Sequence, residues 1–277
     1  MSVVRVGPSG IPSHESPAAA VELLLAGGYD ACEIEFGRGF WMAPGYAEEL
    51  GELARDAGIA LSIHAPLAAF LGHVEAGGRK HRMAVGMLDH SAGIAVACGA
   101  EPVVIHPGFL LGREREAAIA AVVAQLGELR ERLEAKGRAV AFGVEVMGRV
   151  RELGTLDDVL DICRGVPWAR PVIDFAHLHA VTDGAFTDRA RFATALEAAD
   201  AVLSAGAPFH IHFSDISYAN RNEKAHLRYG EGTLRADPLA AALTGFERPA
   251  TVISESPDDA STQAIRAVLL GTGEREG

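Results

Sequence analysis

Residues 139–177 read AVAFGVEVMGRVRELGTLDDVLDICRGVPWARPVIDFAH. An apolar, β-branched run ends on Glu145, a turn with Gly148 and Gly154 follows, Thr155–Cys163 carries apolar residues at helical spacing, and a second apolar run, Pro171–Asp174, ends on another acid. Short buried strands separated by helix-period segments are the pattern of a parallel sheet, because parallel neighbours need a long crossover rather than a tight turn.

The same unit recurs on both sides. Strands are predicted at Val3–Val6, Ala31–Phe36, Ala60–His64, Pro102–His106, Ala139–Glu145, Pro171–Asp174, Phe209–Ser214 and Thr251–Glu255. Helical periodicity covers Pro17–Ala26, Tyr46–Ala57, Arg82–Ala97, Arg113–Ala135, Thr155–Cys163, Arg189–Ser204 and Ala260–Leu269, with Asp237–Leu243 the weakest unit. Gly27-Gly28, Gly58, Gly99, Gly137 and Gly206 stand just before strands, where a helix C-terminus wants a left-handed residue. Eight such units in 277 residues, with no GxGxxG after the first strand, point to an α/β chain closed into a single-domain (β/α)₈ TIM barrel over 1–277.

Composition narrows the class. With 49% hydrophobic residues and no low-complexity tract, the chain can bury a full core. It shows neither a signal-peptide pattern nor an apolar run of roughly eighteen residues, so the expectation is an intracellular, cytoplasmic monomer with no membrane contact. Cys32, Cys98 and Cys163 are far apart in apolar surroundings and read as reduced, buried thiols. A net charge of −12 argues against a polyanionic partner for the molecule as a whole, but bound divalent ions would cancel much of the carboxylate charge around a site.

The strand ends carry the chemistry. Strand three ends on His64, strand four on His106, strand five on Glu145, and strand six runs into Asp174 and His177; strand seven carries His212 and strand eight ends on Glu255. Six successive strands therefore deliver imidazoles and carboxylates to the C-terminal rim, where barrel active sites form. So many like charges are poorly solvated together without cations, and the mixed nitrogen and oxygen donors suit Zn²⁺, with Mn²⁺ as the other candidate. His210 shares the inward parity of His212 one layer deeper and reads as a core hydrogen-bonding residue, whereas His14, His73, His81 and His90 read as surface or loop residues. Glu33 and Glu35 fall on one side of strand two, into the barrel or under a helix, and could pair with Arg38 or join the site.

The ordered set SIHAP (62–66), VVIHPG (103–108), Glu145, Asp174-x-x-His177, His212-x-x-Asp215, His226 ahead of GEG, and Glu255 resembles the endonuclease IV family of apurinic/apyrimidinic endonucleases, within the xylose-isomerase-like barrels. The resemblance implies a zinc cluster in which His64 and His106 bind one ion, Asp174, His212 and Glu255 a second, Glu145 bridges the two, and His177 and His226 hold a third. Where that family has an Asp two residues before the last His, this chain has Lys224. Either Glu223 reaches in from one residue further away, or the third ion is weak or absent and Lys224 contacts phosphate instead. Leu67 replaces a family Tyr, leaving Leu67 or Phe70 as the wedge that would enter the base stack.

The loops of the same rim hold eleven basic residues, among them Arg38, Arg79, Arg113, Arg149, Arg221, Lys224 and Arg228, a ring suited to a phosphate backbone. The resemblance thus implies a zinc-dependent DNA repair hydrolase that acts on double-stranded DNA containing abasic sites. It would cut the phosphodiester 5′ to the lesion and leave a 3′-hydroxyl, with Glu145 as the least replaceable catalytic residue. The alternative is a sugar isomerase or epimerase of the same superfamily, which needs one ion held by ligands resembling Glu145, Asp174, His212 and Glu255.

Overall fold

The computed structural model describes residues 3–37 and 39–272. In chain order the strands are β1 (Val4–Pro8), β2 (Ala31–Glu35), β3 (Ala60–His64), β4 (Val103–Ile105), β5 (Phe142–Glu145), β6 (Ala169–Asp174), β7 (Phe209–Phe213), β8 (Asp215–Ala219), β9 (Asn222–Leu227) and β10 (Ala250–Ser254). Eight of them form a parallel sheet in the order β1-β10-β7-β6-β5-β4-β3-β2, and β8 and β9 form a separate antiparallel hairpin. The two outer strands meet at a parallel bridge between Ser9 and Glu33, where the Gly10 amide donates to Glu33 O at 2.8 Å, so the sheet closes into a nearly complete TIM barrel.

Alternation along the strands sorts the side chains. In β7, FHIHF, all five residues are buried; the rings of His210 and His212 meet side chains from other barrel strands, while Phe209 and Phe213 belong to the apolar layer under the helices. Register sets the height of each ligand: His212 lies beside Asp174 of β6 and Ile253 of β10, and His64 beside Val104 of β4.

The outer ring comprises α1 (Pro17–Ala26), α2 (Pro44–Asp56), α3 (Arg79–Cys98), α4 (Arg115–Glu134), α5 (Leu156–Gly165), α6 (Phe175–Val181), α7 (Arg189–Asp200), α8 (Asp237–Leu243) and α9 (Asp259–Leu270). Leu24, Leu50, Leu88 and Leu126, one from each of the first four helices, are completely buried. Truncating any of them to alanine would cost about 2–5 kcal/mol, the lost transfer energy plus a cavity. Close packing of α2 on α3 depends on Gly51, where an added Cβ would sit 2.5 Å from the Cys98 Cα.

Several expectations shift. α3 begins at Arg79, three residues earlier than expected, so Arg79 and Lys80 lie in its first turn rather than in the loop before it. His73 lies in a loop but is buried, and His81 is buried in the first turn of α3, where its Nδ1 accepts the Gly77 amide at 2.8 Å. Two elements were not expected from the sequence: α6, which starts directly after β6, and the β8–β9 hairpin. The three cysteines are buried and unpaired. Among the described residues no helix is long and apolar enough to cross a membrane.

Candidate metal centre

At the C-terminal rim His64, His177 and His226 are each held through Nδ1 and present Nε2. His64 Nδ1 donates to Ala65 O at 2.9 Å, and its Nε2 lies 3.2 Å from Glu145 Oε2. His177 Nδ1 donates to Val146 O at 2.8 Å and aims Nε2 at Glu223 Oε2, 2.6 Å away. His226 Nδ1 pairs with Ser214 Oγ at 2.6 Å. His106 Nε2 lies 3.0 Å from Glu145 Oε2. Fixing one ring nitrogen sets the tautomer, so the other can offer its lone pair to a cation.

His212 is turned the other way. Its Nδ1 is 3.0 Å from Glu145 Oε1 and 3.5 Å from Glu255 Oε1, while its Nε2 is 3.0 Å from Glu33 Oε1. Glu33 is completely buried, accepts from Ser62 Oγ at 2.7 Å, and also lies 3.0 Å from His210 Nε2. It therefore points into the barrel beneath the site and orients His212 from behind, as His210 occupies the core position its parity suggested. Glu35, one strand turn higher, accepts from Ser9 Oγ at 2.8 Å.

Among the described residues five groups have donor atoms within 4.8 Å of one another, and three of them consist of expected ligands alone: His64, His106 and Glu145; Glu145, Asp174, His212 and Glu255; and Asp174, His177 and His226; the other two bring Glu33 to His210 and His212, and to Glu35 and Glu255. Glu145 belongs to the first two of these three ligand groups and Asp174 to the second and third. The structure thus brings together all eight residues expected as ligands.

The third group depends on local geometry that the sequence only partly reveals. Asp174 is the N-cap of α6, its Oδ1 accepting the His177 amide at 2.8 Å, and this spacing leaves Oδ2 buried without a hydrogen-bond partner. His226 rides on β9, paired opposite Ile216 of β8. Asp215, at the foot of the hairpin, accepts the amides of Gly230, Gly232 and Leu234 at 3.1, 2.7 and 3.1 Å, which ties the GEG loop beneath the hairpin. Glu223 reaches the edge of this group: its carboxylate lies between His177 and Arg149, whose Nη2 is 3.0 Å from Glu223 Oε1. That approach needs Gly148, where a Cβ would stand 2.3 Å from Glu223 Oε2 and 2.7 Å from the His177 ring.

The electrostatics fit divalent cations. Burial opposes charge on His212, His64 and His177, yet the neighbouring carboxylates outweigh it and hold all three well above the usual imidazole range. Burial also opposes charge on Glu145, but His212 and His106 pull it well below the usual carboxylate range. Glu223 is likewise drawn down, against its burial, to about 2 by His177 and Arg149. Glu255 goes the other way, raised by burial and by Asp174 and Glu145. Imidazole nitrogens and carboxylate oxygens at these separations require a positive charge between them, and metal ions can supply it as well as protons. The donor set suits Zn²⁺.

The rim arginines are largely engaged within the fold. Arg113 Nε donates to Leu110 O at 3.1 Å and its Nη2 to Gly72 O. Arg221 Nε donates to Val181 O at 2.7 Å, and Arg228 Nε lies 2.7 Å from Asp258. Each guanidinium has five N–H donors, so these contacts leave others over. Among the described residues Arg79 and Lys224 form no ion pair; Arg38 lies outside the described residues. Leu67 is exposed, while Phe70 packs edge-on against Phe109 with ring centroids 5.2 Å apart. Phe109 is itself exposed on the loop after β4, an apolar rim residue that strand-end reading passes over.

The model of the xylose isomerase-like TIM barrel family matches residues 21–270. The chain belongs to that family. An uncharacterized protein of Methanocaldococcus jannaschii, MJ0133, is 32% identical over 254 residues, covering 91% of each chain. Among solved structures, a D-tagatose 3-epimerase-like protein superposes with a TM-score of 0.74 at 19% identity, over 98% of this chain and 96% of the other. Endonuclease IV from Thermus thermophilus superposes with a TM-score of 0.72 at 18% identity, over 96% of this chain and 98% of the other. At such identities the likeness concerns the fold of this xylose isomerase-like barrel, and it divides between an epimerase and a nuclease.

Proposed function

We propose that this barrel is a zinc-dependent hydrolase of DNA phosphodiesters, acting on double-stranded DNA 5′ to an abasic site and leaving a 3′-hydroxyl. The observation that carries this reading is the pair of ligand groups flanking the central one: His64 and His106 on one side and His177 and His226 on the other, joined to the centre through Glu145 and Asp174. The central group alone suffices for a single ion, and these four histidines lie outside it. Bound ions would supply Lewis acidity toward phosphate oxygens and lower the pKa of an attacking water.

The chain's own residues do the rest. Glu145 would be shared by two ions, since its Oε2 lies 3.2 and 3.0 Å from His64 and His106 and its Oε1 3.0 Å from His212. Glu33 locks the His212 ring, and Ser214 locks that of His226. Exposed Leu67 and Phe109 stand at the mouth as apolar wedges for the space left by a missing base. Arg79 and Lys224 offer charges to the backbone on either side.

The test is element-resolved metal analysis of the purified protein, followed by incision of duplex DNA bearing a tetrahydrofuran abasic analogue. Two or three zinc ions per chain with incision 5′ to the analogue is the expected result. One ion per chain and no incision would overturn it in favour of a sugar epimerase. That second reading draws support from the central group, since Glu145, Asp174, His212 and Glu255 form a complete single-ion site, and the raised pKa of Glu255 suits a carboxyl that exchanges a proton.

A further inference from the structure

Next to the metal centre, a groove of about 730 Å³ opens between the loop after β5, α6 and α7. No residue of the three ligand groups lines it. Its floor is apolar, built from Met147, Leu156, Leu178, Val181, Phe186 and Ala195, and its edge carries Arg115, Arg149, Arg191 and Arg221. Four arginines against Asp157 and Asp188 leave the lining with a formal charge of +2. The size falls in the range of pockets that enclose small organic ligands, roughly 300–1,000 Å³.

The arginines are not equivalent. Arg115 is held by buried Asp158, and Arg149 by Glu223. Arg221 spends only its Nε, on Val181 O at 2.7 Å, and Arg191 forms no ion pair among the described residues. One of the two acids is partly spent as well: Asp188 caps α7, its Oδ1 accepting the Arg191 amide at 3.1 Å. The uncommitted donors thus belong to Arg191 and Arg221, beside a lining that is mostly apolar.

We propose that this groove is a binding site for a phosphomonoester with a compact aromatic body, of the nucleoside 5′-monophosphate class. The floor around Phe186 takes the planar body, which guanidinium planes can also stack upon, and Arg191 and Arg221 take the phosphate dianion. The site is separate from the metal centre but touches it through one side chain. Arg149 lines the groove and also holds Glu223, whose other oxygen lies 2.6 Å from His177. A phosphate that draws Arg149 toward the groove loosens Glu223 from the third ligand group. The inference does not depend on which reaction the metal centre performs.

The experiment is calorimetric titration of the full-length, metal-loaded protein with adenosine 5′-monophosphate, adenosine and inorganic phosphate. The nucleotide is expected to bind once per chain, with adenosine and phosphate each at least tenfold weaker. Arg191→Ala combined with Arg221→Ala should weaken the nucleotide at least tenfold. Thr194→Trp, an exposed position on α7 that lines the groove, should block it while metal content stays unchanged. Absence of saturable nucleotide binding, binding undiminished in Thr194→Trp, or inorganic phosphate binding as tightly as the nucleotide would each overturn the proposal, the last by pointing to the metal centre as the phosphate site.

Discussion

Asp89 and Glu145 are both buried carboxylates among basic side chains, yet their surroundings are finished to different degrees. Asp89, on α3, meets Arg132 Nε at 2.8 Å together with Lys136 and Arg138, and both of its oxygens are taken. Burial resists its charge, but the three cations outweigh it and hold the carboxyl down at about 2. At the rim, Glu145, Asp174 and Glu255 face mainly imidazoles, Glu223 lies between His177 and Arg149, and Asp174 Oδ2 is buried without a hydrogen-bond partner. The first cluster ties α3 to α4 and is neutralised by its own chain. The second is left short of positive charge, as a site must be if cations are to complete it.

The contrast breaks if Glu145 behaves like Asp89. Glu145→Gln should remove the charge that two ligand groups share, so metal analysis should show the loss of both proposed ions, and the DNA incision proposed for this barrel should slow by on the order of 10³-fold or more. A variant that keeps its metal and its rate would mean that this carboxylate, like Asp89, is only structural. Glu33→Gln probes the layer beneath: it touches no proposed ion position, yet it should weaken metal binding by about 10–100-fold by freeing the His212 ring. A competition titration with a chelator reads this directly, and unchanged affinity would reduce Glu33 to core packing.

The same contrast explains what the sequence could disclose. His64, His106, Glu145, Asp174, His212 and Glu255 were legible because a strand has one end and two faces, so a polar residue closing an apolar run has a definite place. Glu33 was ambiguous because alternation fixes two faces without saying which one is the barrel interior; only its contacts with His210 and His212 decide it. The β8–β9 hairpin was invisible because NEKAHL lacks apolar alternation. Its turn also places Asn220 and Arg221 at φ of 52° and 59°, with an arginine where the usual signal is glycine. Hence Glu223, delivered by the hairpin, could be weighed as a ligand but not placed. The arginine ring read as free charge, whereas Arg113, Arg149, Arg221 and Arg228 each have a partner within the fold.

The hairpin-borne part of the site offers a finer test. Gly148→Ala would put a methyl group 2.3 Å from Glu223 Oε2, and Glu223→Gln would remove the charge without the clash. Both should lower the metal content by one ion per chain and leave the two groups that share Glu145 filled. Loss of all ions from either variant would show that the third group is not separable from the others.

The smallest effect belongs to Asp89. Its carboxyl is depressed in the folded state, so its contribution is fully present above the unfolded pKa near 4 and is lost as pH falls toward about 2. Its three partners are 40–49% exposed, and screening by water limits the gain. Asp89→Asn should therefore lower stability by only about 1–2 kcal/mol near neutral pH. Thermal unfolding of the variant and the parent should converge as the pH drops from about 4 toward 2. Metal content should not change, because a carboxylate already neutralised by Arg132, Lys136 and Arg138 has nothing left to offer an ion. An Asp89→Asn protein that lost bound metal would erase the distinction between the two clusters, since it would make the closed one part of the open one.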